Sequence, residues 1–342
     1  MHGESSWVVS RGAARRVRPP AALTLVRGPS NIASGIRPRS RFGYPRRWHP
    51  APPRAHLLSA TLSGPPACTV PAPCTPPEII AATFDTQLGG IRALVTGASS
   101  GLGFAMARAL AEAGAAVAVT SREWHRAEQA ARRLPGRAHP VALEVSDPRS
   151  VRAGVAATRE ALGGLDLLVN NAGLGMRTVN PRFMTDPQPF WEVPPDGFRA
   201  VLESKALGVF LLARETVPGM LADGGGRVVT ISMNESTMRR RGFVPYGPSG
   251  AAVEALGRVM AADLAGTSVR ANLLLPGGAT RTGMIPDGVN PETASRLLDP
   301  GIMGPPIVWL ASAAAAEVHD ERIVATEFAD WLAARGVGGV GG

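Results

Sequence analysis

A glycine-rich turn, Thr96-Gly97-Ala98-Ser99-Ser100-Gly101-Leu102-Gly103, follows directly on the apolar run Ile91-Arg92-Ala93-Leu94-Val95. A buried strand, a turn of small residues and a helix start form the arrangement that holds a dinucleotide pyrophosphate. Gly97, Gly101 and Gly103 let backbone approach the phosphates, and Ser99 and Leu102 belong to the same turn. The helix start offers free N–H donors and a partial positive charge. One such loop constrains little by itself. Its place in a longer pattern constrains the fold.

From residue 91 onward, short apolar runs alternate with amphipathic stretches, which predicts repeated β-α units and a parallel sheet. Strands are expected over 93–96, 116–120, 140–145, 165–170, 227–232, 269–275 and 322–326. Helices are expected over 101–113, 123–134, 148–162, 196–221, 246–264 and 291–298, with a further one over 305–313. Seven strands with helices on both faces predict an α/β, doubly wound, Rossmann-like sheet in a single domain over 81–342. Ligand is then expected at the carboxyl ends of the strands. Two connections, 175–194 and 278–290, are long and follow strand ends, so either a substrate cover or surface decoration fits them.

Three further motifs follow the glycine turn in order: Asn170-Asn171-Ala172-Gly173 after the fourth strand, Tyr246 opening a helix, and Pro276-Gly277 after the sixth strand. Together they resemble the short-chain dehydrogenase/reductase family over roughly residues 84–324. The resemblance implies a nicotinamide cofactor, with 3-oxoacyl-thioester or small polyol substrates among the family's range, and a homo-oligomer. It places Asn171, Ala172 and Gly173 at the adenosine ribose, with Gly173 there for its conformational freedom. It places Glu144-Val145 beside the adenine, and Pro276-Gly277, with Thr280 or Thr282, at the nicotinamide amide. Arg122, just after the second strand, matches the 2′-phosphate of NADP by charge and fork geometry, whereas an acid there would favour NAD. NADP is therefore the expected cofactor, with NAD open because Glu123 lies next door.

In this family a tyrosine acts as acid/base, helped by a lysine four residues later, a serine and an asparagine. Tyr246 is kept, but position 250 is glycine. The serine slot, thirteen residues before the tyrosine, holds Met233. Ser232 is one residue off, a shift that turns a side chain to the other face of a strand unless a bulge restores it or Asn234 donates instead. The asparagine slot holds Lys205, the only lysine in the chain. Its ammonium would occupy the space left by the missing lysine, or both changes are drift in a protein that no longer catalyses. The catalytic candidates are thus Tyr246, Ser232 and Lys205. The function expected is NADP-preferring hydride transfer between cofactor and a ketone or secondary alcohol with a rearranged tetrad; the alternative is a non-catalytic nucleotide-binding module acting as sensor or scaffold.

Charge separates a tail from this body. Residues 1–80 hold eleven arginines, Glu4 and Glu78, whereas the remainder holds equal numbers of bases and acids. The Arg- and Pro-rich tail lacks hydrophobic periodicity and is expected to be disordered. It fits an organellar transit peptide, an upstream stretch read from an early start in a GC-rich genome, or a nucleic-acid-binding arm. The neutral body suggests no nucleic-acid or anionic-membrane partner, and a cytoplasmic site is expected unless the tail directs the chain to an organelle. Both cysteines, Cys68 and Cys74, fall in the tail, and the six histidines are scattered, so no metal site is expected. No run reaches the length of a membrane-spanning helix. A chain beginning at Pro77 should keep the melting temperature of the full chain to within a few degrees; a large drop in thermal denaturation would show that the tail packs on the body.

Overall fold

The computed structural model describes residues 87–337, so the Arg- and Pro-rich segment and its cysteines lie outside the described residues. The strands are β1 (Arg92–Val95), β2 (Ala116–Ser121), β3 (Ala138–Ala142), β4 (Leu167–Asn170), β5 (Gly226–Ile231), β6 (Val269–Leu275) and β7 (Arg322–Val324). All pair in parallel, in the order β3-β2-β1-β4-β5-β6-β7. The chain builds outward from β1 to β3 on one side, then returns to place β4 on the other side of β1. That reversal opens a crevice at the carboxyl ends of β1 and β4.

Alternation of side chains along the strands divides the core in two. Ala93, Val95, Val117, Val119, Leu167 and Val169 face one apolar layer. Leu94, Ala116, Ala118 and Leu168 face the other. The first layer is covered by α1 (Gly101–Glu112), α2 (Trp124–Ala131), α9 (Gly304–Ala311) and α10 (Phe328–Ala333). The second is covered by α3 (Pro148–Leu162), α5 (Gly208–Ala222) and α7 (Tyr246–Leu264). Because both faces are covered, the central strands are continuous apolar runs rather than alternating ones.

Four elements depart from the sequence expectation. β3 ends at Ala142, not at 145: the chain leaves the sheet there, and the Glu144 N–H bonds to the Ser150 hydroxyl at the start of α3, 2.9 Å away. Pro140 is tolerated in β3 because that strand lies at the sheet edge. The single helix expected over 196–221 is α4 (Pro195–Leu202), a π-helical turn at Glu203–Leu207, and α5. Such a turn inserts one residue into the ladder and re-aims the side chains on it. Two short helices, α6 (Glu235–Met238) and α8 (Pro291–Ser295), complete the set; α8 is shorter than expected and α6 carried no helical signal.

α1 is pressed onto the turn before it. A Cβ on Gly103 would run into the Gly97 carbonyl and the Asn171 amide, and the Gly97 carbonyl is backbone that cannot swing aside. Gly103→Ala should therefore destabilise the fold by about 1–3 kcal/mol, as overpacking does. Equilibrium urea denaturation measures it, and an unchanged midpoint would contradict the close approach.

Candidate active site

The glycine turn is tied to the end of β4 through one hydroxyl. Thr96 Oγ1 donates to the Val169 carbonyl at 3.1 Å and accepts the N–H groups of Asn171 at 2.9 Å and Ala172 at 3.0 Å. The Asn171 side-chain amide donates to the Thr96 carbonyl at 2.8 Å. The Gly97 N–H bonds to Thr120 Oγ1 at 3.1 Å, which fixes the turn to β2 as well. Gly97 and Gly101 have φ of 63° and 58°, the left-handed region that glycine enters without strain. Ser100 flanks α1 without a side-chain cap, so the helix start faces the crevice with its N–H groups uncovered by a side chain.

This crevice has a volume of about 630 Å³, within the range of roughly 300–1,000 Å³ for small-molecule sites. Gly97, Ser99, Gly101 and Leu102 line it from the turn, and Asn171, Ala172 and Gly173 line it from β4. At one end lie Arg122, Glu144 and Val145. Arg122 Nε is 3.9 Å from Glu144 Oε2, a loose pair, and Glu144 Oε1 instead accepts from the N–H and hydroxyl of Ser146. Glu123 turns to His125 at 3.3 Å. Thr282 folds over the turn: a Cβ on Gly101 would lie 3.3 Å from it.

Four sequence candidates stand elsewhere. Gly103 is spent on packing, as above. Thr280 is buried, bonded to the Gly278 carbonyl and bridged to Leu298, so of the two threonines only Thr282 lines the crevice. Pro276 and Gly277 do not line it either. Gly277 has a φ of 94°, would strike Thr326 with any Cβ, and gives its carbonyl to Asn234 Nδ2 at 2.7 Å. That bond also occupies the Asn234 amide. Arg126, Ser121 and Glu203 line the crevice without having been singled out. Only for Arg126 was a signal available: it stands four residues after Arg122, one helical turn on.

At the other end, the π turn delivers Lys205 to Tyr246. The Lys205 ammonium lies over the Tyr246 ring, 4.8 Å from its centroid, within the range of about 6 Å for cation–π attraction. Its stem packs on Gly173, where a Cβ would come within 2.6 Å of Lys205 Cγ. Gly173 is therefore required for room and not for a left-handed φ, which it does not have. The neighbouring Ser204 hydroxyl accepts the Leu174 N–H at 2.9 Å, pinning the π turn to the segment after β4. Lys205 is 9% exposed, and burial lowers its pKa to about 8. Burial raises that of the Tyr246 phenol.

Met233 packs directly against Gly250. A Cβ on Gly250 would lie 2.6 Å from Met233 Cε and 2.7 Å from its sulfur. The methionine thus fills the volume into which a side chain at position 250 would grow. Ser232 is turned away, as the strand alternation requires. Its hydroxyl donates to Glu254 Oε1 at 2.6 Å, and Arg322 Nε donates to the same oxygen at 2.8 Å. Glu254 lies two turns past Tyr246 along α7, about 12 Å on. The structure therefore brings Lys205 to Tyr246 and gives Ser232 a partner remote from it.

Among the described residues no helix is long and apolar enough to cross a membrane, and no group of three or more His, Cys, Asp or Glu could hold a metal ion. A family model for short chain dehydrogenases matches residues 92–290. The 3-oxoacyl-[acyl-carrier-protein] reductase FabG of Vibrio cholerae is 31% identical over 244 residues, 69% of this chain and 96% of that protein. Among solved structures, 3-ketoacyl-(acyl-carrier-protein) reductase from Brucella melitensis, complexed with NADH, superposes with a TM-score of 0.61 at 27% identity, over 69% of this chain and 97% of that one. Gluconate 5-dehydrogenase from Burkholderia cenocepacia, in complex with NADP and tartrate, gives 0.63 at 29% identity, over 73% and 99%. With the matched span running from β1 past the Tyr246 helix, this chain belongs to the short chain dehydrogenase family.

Proposed function

We propose that this chain is an NADP-preferring oxidoreductase that interconverts a ketone and a secondary alcohol, with Lys205 standing in for the lysine absent at position 250. The observation that carries this reading is the Lys205 ammonium over the Tyr246 ring at 4.8 Å. The crevice suits a dinucleotide: a left-handed glycine turn, with Gly97 pressed onto Ala172, and an uncapped helix start form a cradle. Arg122 and Arg126 give its far end the positive charge that a 2′-phosphate requires. Relatives crystallised with NADH and with NADP mark the cofactor class, and the two arginines favour NADP in this chain.

When bound, the nicotinamide supplies the hydride. The chain's own part is to hold and move a proton. Tyr246, with its pKa raised by burial, keeps its proton at neutral pH and gives it to the alkoxide forming on the substrate carbon's oxygen. The Lys205 charge then stabilises the phenolate left behind. Gly173 and Ser204 hold the π turn so that the ammonium stays at the ring.

A non-catalytic, cofactor-binding role is the second reading. Met233 filling the space at Gly250, with Ser232 committed to Glu254, favours it. Oxidation of NADPH with a panel of ketones separates the two. Under the first reading turnover is present and Lys205→Met abolishes it. Under the second the natural chain is inactive, and turnover appears only with Gly250→Lys, Lys205→Asn and Met233→Ser combined.

Arg122→Asp should weaken NADP binding by about ten- to a hundredfold, the value of a charge-assisted contact of roughly 1.5–3 kcal/mol, and leave NAD binding equal or better. Calorimetric titration reads both, and unchanged NADP affinity would remove Arg122 from the site.

Lys205 also makes a pH prediction for the cofactor-free protein. Its folded pKa of about 8 lies below the ordinary 10.5, so the unfolded chain holds the extra proton between those values. Burial of the ammonium therefore costs stability below pH 8, and the cost fades as pH rises from 8 toward 10.5. Lys205→Met should raise the melting temperature at pH 7, and this advantage should shrink across that window. A constant difference at all pH values would contradict the burial of the charge.

A further inference from the structure

Apart from the Lys205 ammonium over its ring, Tyr246 is set against sulfur and aromatic carbon. Met176, Phe183 and Phe243 form a small buried cluster against which Met184 and Tyr246 pack. The Phe183 and Phe243 rings meet edge to face with centroids 5.5 Å apart. The partner of the Tyr246 hydroxyl is a thioether, the Met284 sulfur, at 3.9 Å. Met284 also lines the crevice and presses on Gly175, where a Cβ would come 3.2 Å from its Cγ. This one flexible side chain thus stands between the cradle and the phenol.

The segment that carries Met284 is clamped from the other long loop. Arg177 Nη1 donates to the carbonyls of Gly283 at 3.0 Å and Ile285 at 3.3 Å, and its Nη2 lies 3.6 Å from Asp287. The guanidinium grips backbone on both sides of Met284. The two long connections, 175–194 and 278–290, therefore meet over Tyr246 and present sulfur and aromatic carbon to it.

We propose that the substrate of this site is a hydrocarbon-flanked ketone, and that Met284 is the residue that selects it by yielding its place to the substrate's apolar chain. The inference rests on the oxidoreductase reading above and narrows it. A ketone bearing hydroxyls beside the carbonyl would strand those groups against methionine and phenylalanine, where an unpaired polar group is costly. A hydrocarbon chain exchanges water for the same surface, and an unbranched, polarisable methionine repacks readily around it. The ketone oxygen takes the position at the Tyr246 hydroxyl that sulfur holds, and gains a far stronger hydrogen-bond acceptor there than a thioether offers.

The test uses the full chain with NADPH and a series of 2-alkanones from butanone to nonan-2-one, set against fructose as a polyhydroxy ketone. kcat/KM should rise about three- to fourfold for each added methylene until the wall is filled, with fructose not turned over. Met284→Ser and Met184→Ser should each flatten that slope. Binding of the same alkanones to protein loaded with NADP, followed by calorimetry, is read independently of turnover. An affinity that climbs with chain length in the absence of turnover upholds the apolar site and sinks catalysis. Turnover of fructose, or a flat response to chain length, overturns the apolar site while leaving the oxidoreductase standing. No alkanone binding at all overturns it as well.

Discussion

The Thr96 hydroxyl uses all of its hydrogen-bonding capacity at the junction on which the site is built: one donated bond to Val169, two accepted from Asn171 and Ala172. Its position at the end of β1 is what makes this possible, since β1 is flanked by β2 and β4. The glycine turn can then leave the sheet at a fixed angle, and the segment after β4 crosses directly beneath it. Gly173 on that segment leaves room for the Lys205 stem, and the lysine in turn reaches Tyr246. Cradle and candidate chemistry are thus linked through consecutive close approaches, each needing a small residue where it falls.

Much of this was legible in the sequence because it depends on short-range pattern. Alternation of apolar runs with helical stretches sets the strand order's raw material, and the motifs after β1 and β4 set the crevice. α3 and α7 run over the residues expected, because Asp147 and Pro148 start one and Tyr246 opens the other. Gly97, Ser99, Gly101, Leu102, Arg122, Glu144, Val145 and Asn171–Gly173 all line the crevice, as does Thr282. What could not be read is what depends on packing between distant segments. The π turn at Glu203–Leu207 leaves no periodic trace, being one residue added to a helix. Thr280 and Thr282 differ only in which way a loop turns. The partner of Ser232 is Glu254 on α7, 22 residues on, itself bound by Arg322 of β7, so spacing could say that the serine was out of register but not what would claim it.

The residues around Tyr246 and Ser232 constrain one another in size and charge. Lysine at 205 needs glycine at 173. Methionine at 233 needs glycine at 250, and a lysine side chain at 250 would have to displace the methionine sulfur. Ser232 is held by a carboxylate that also binds Arg322, which in turn reaches the Met233 carbonyl at 3.1 Å. Each of these side chains is matched by a neighbour of fitting size or charge.

The register of β1 carries a kinetic consequence. Its partners in β4 are about 74 residues away in sequence, with Val95 opposite Val169, whereas its partners in β2 are only 24 away. Closing the longer loop has an entropic cost before any of its contacts return a gain, and parallel pairing at such separation is slow. The β1–β2 pair can form early, but the crevice has no second wall until β4 docks. The binding site is consequently a late product of folding, and a ligand that fills it stabilises the assembled sheet as a whole rather than any one of its segments.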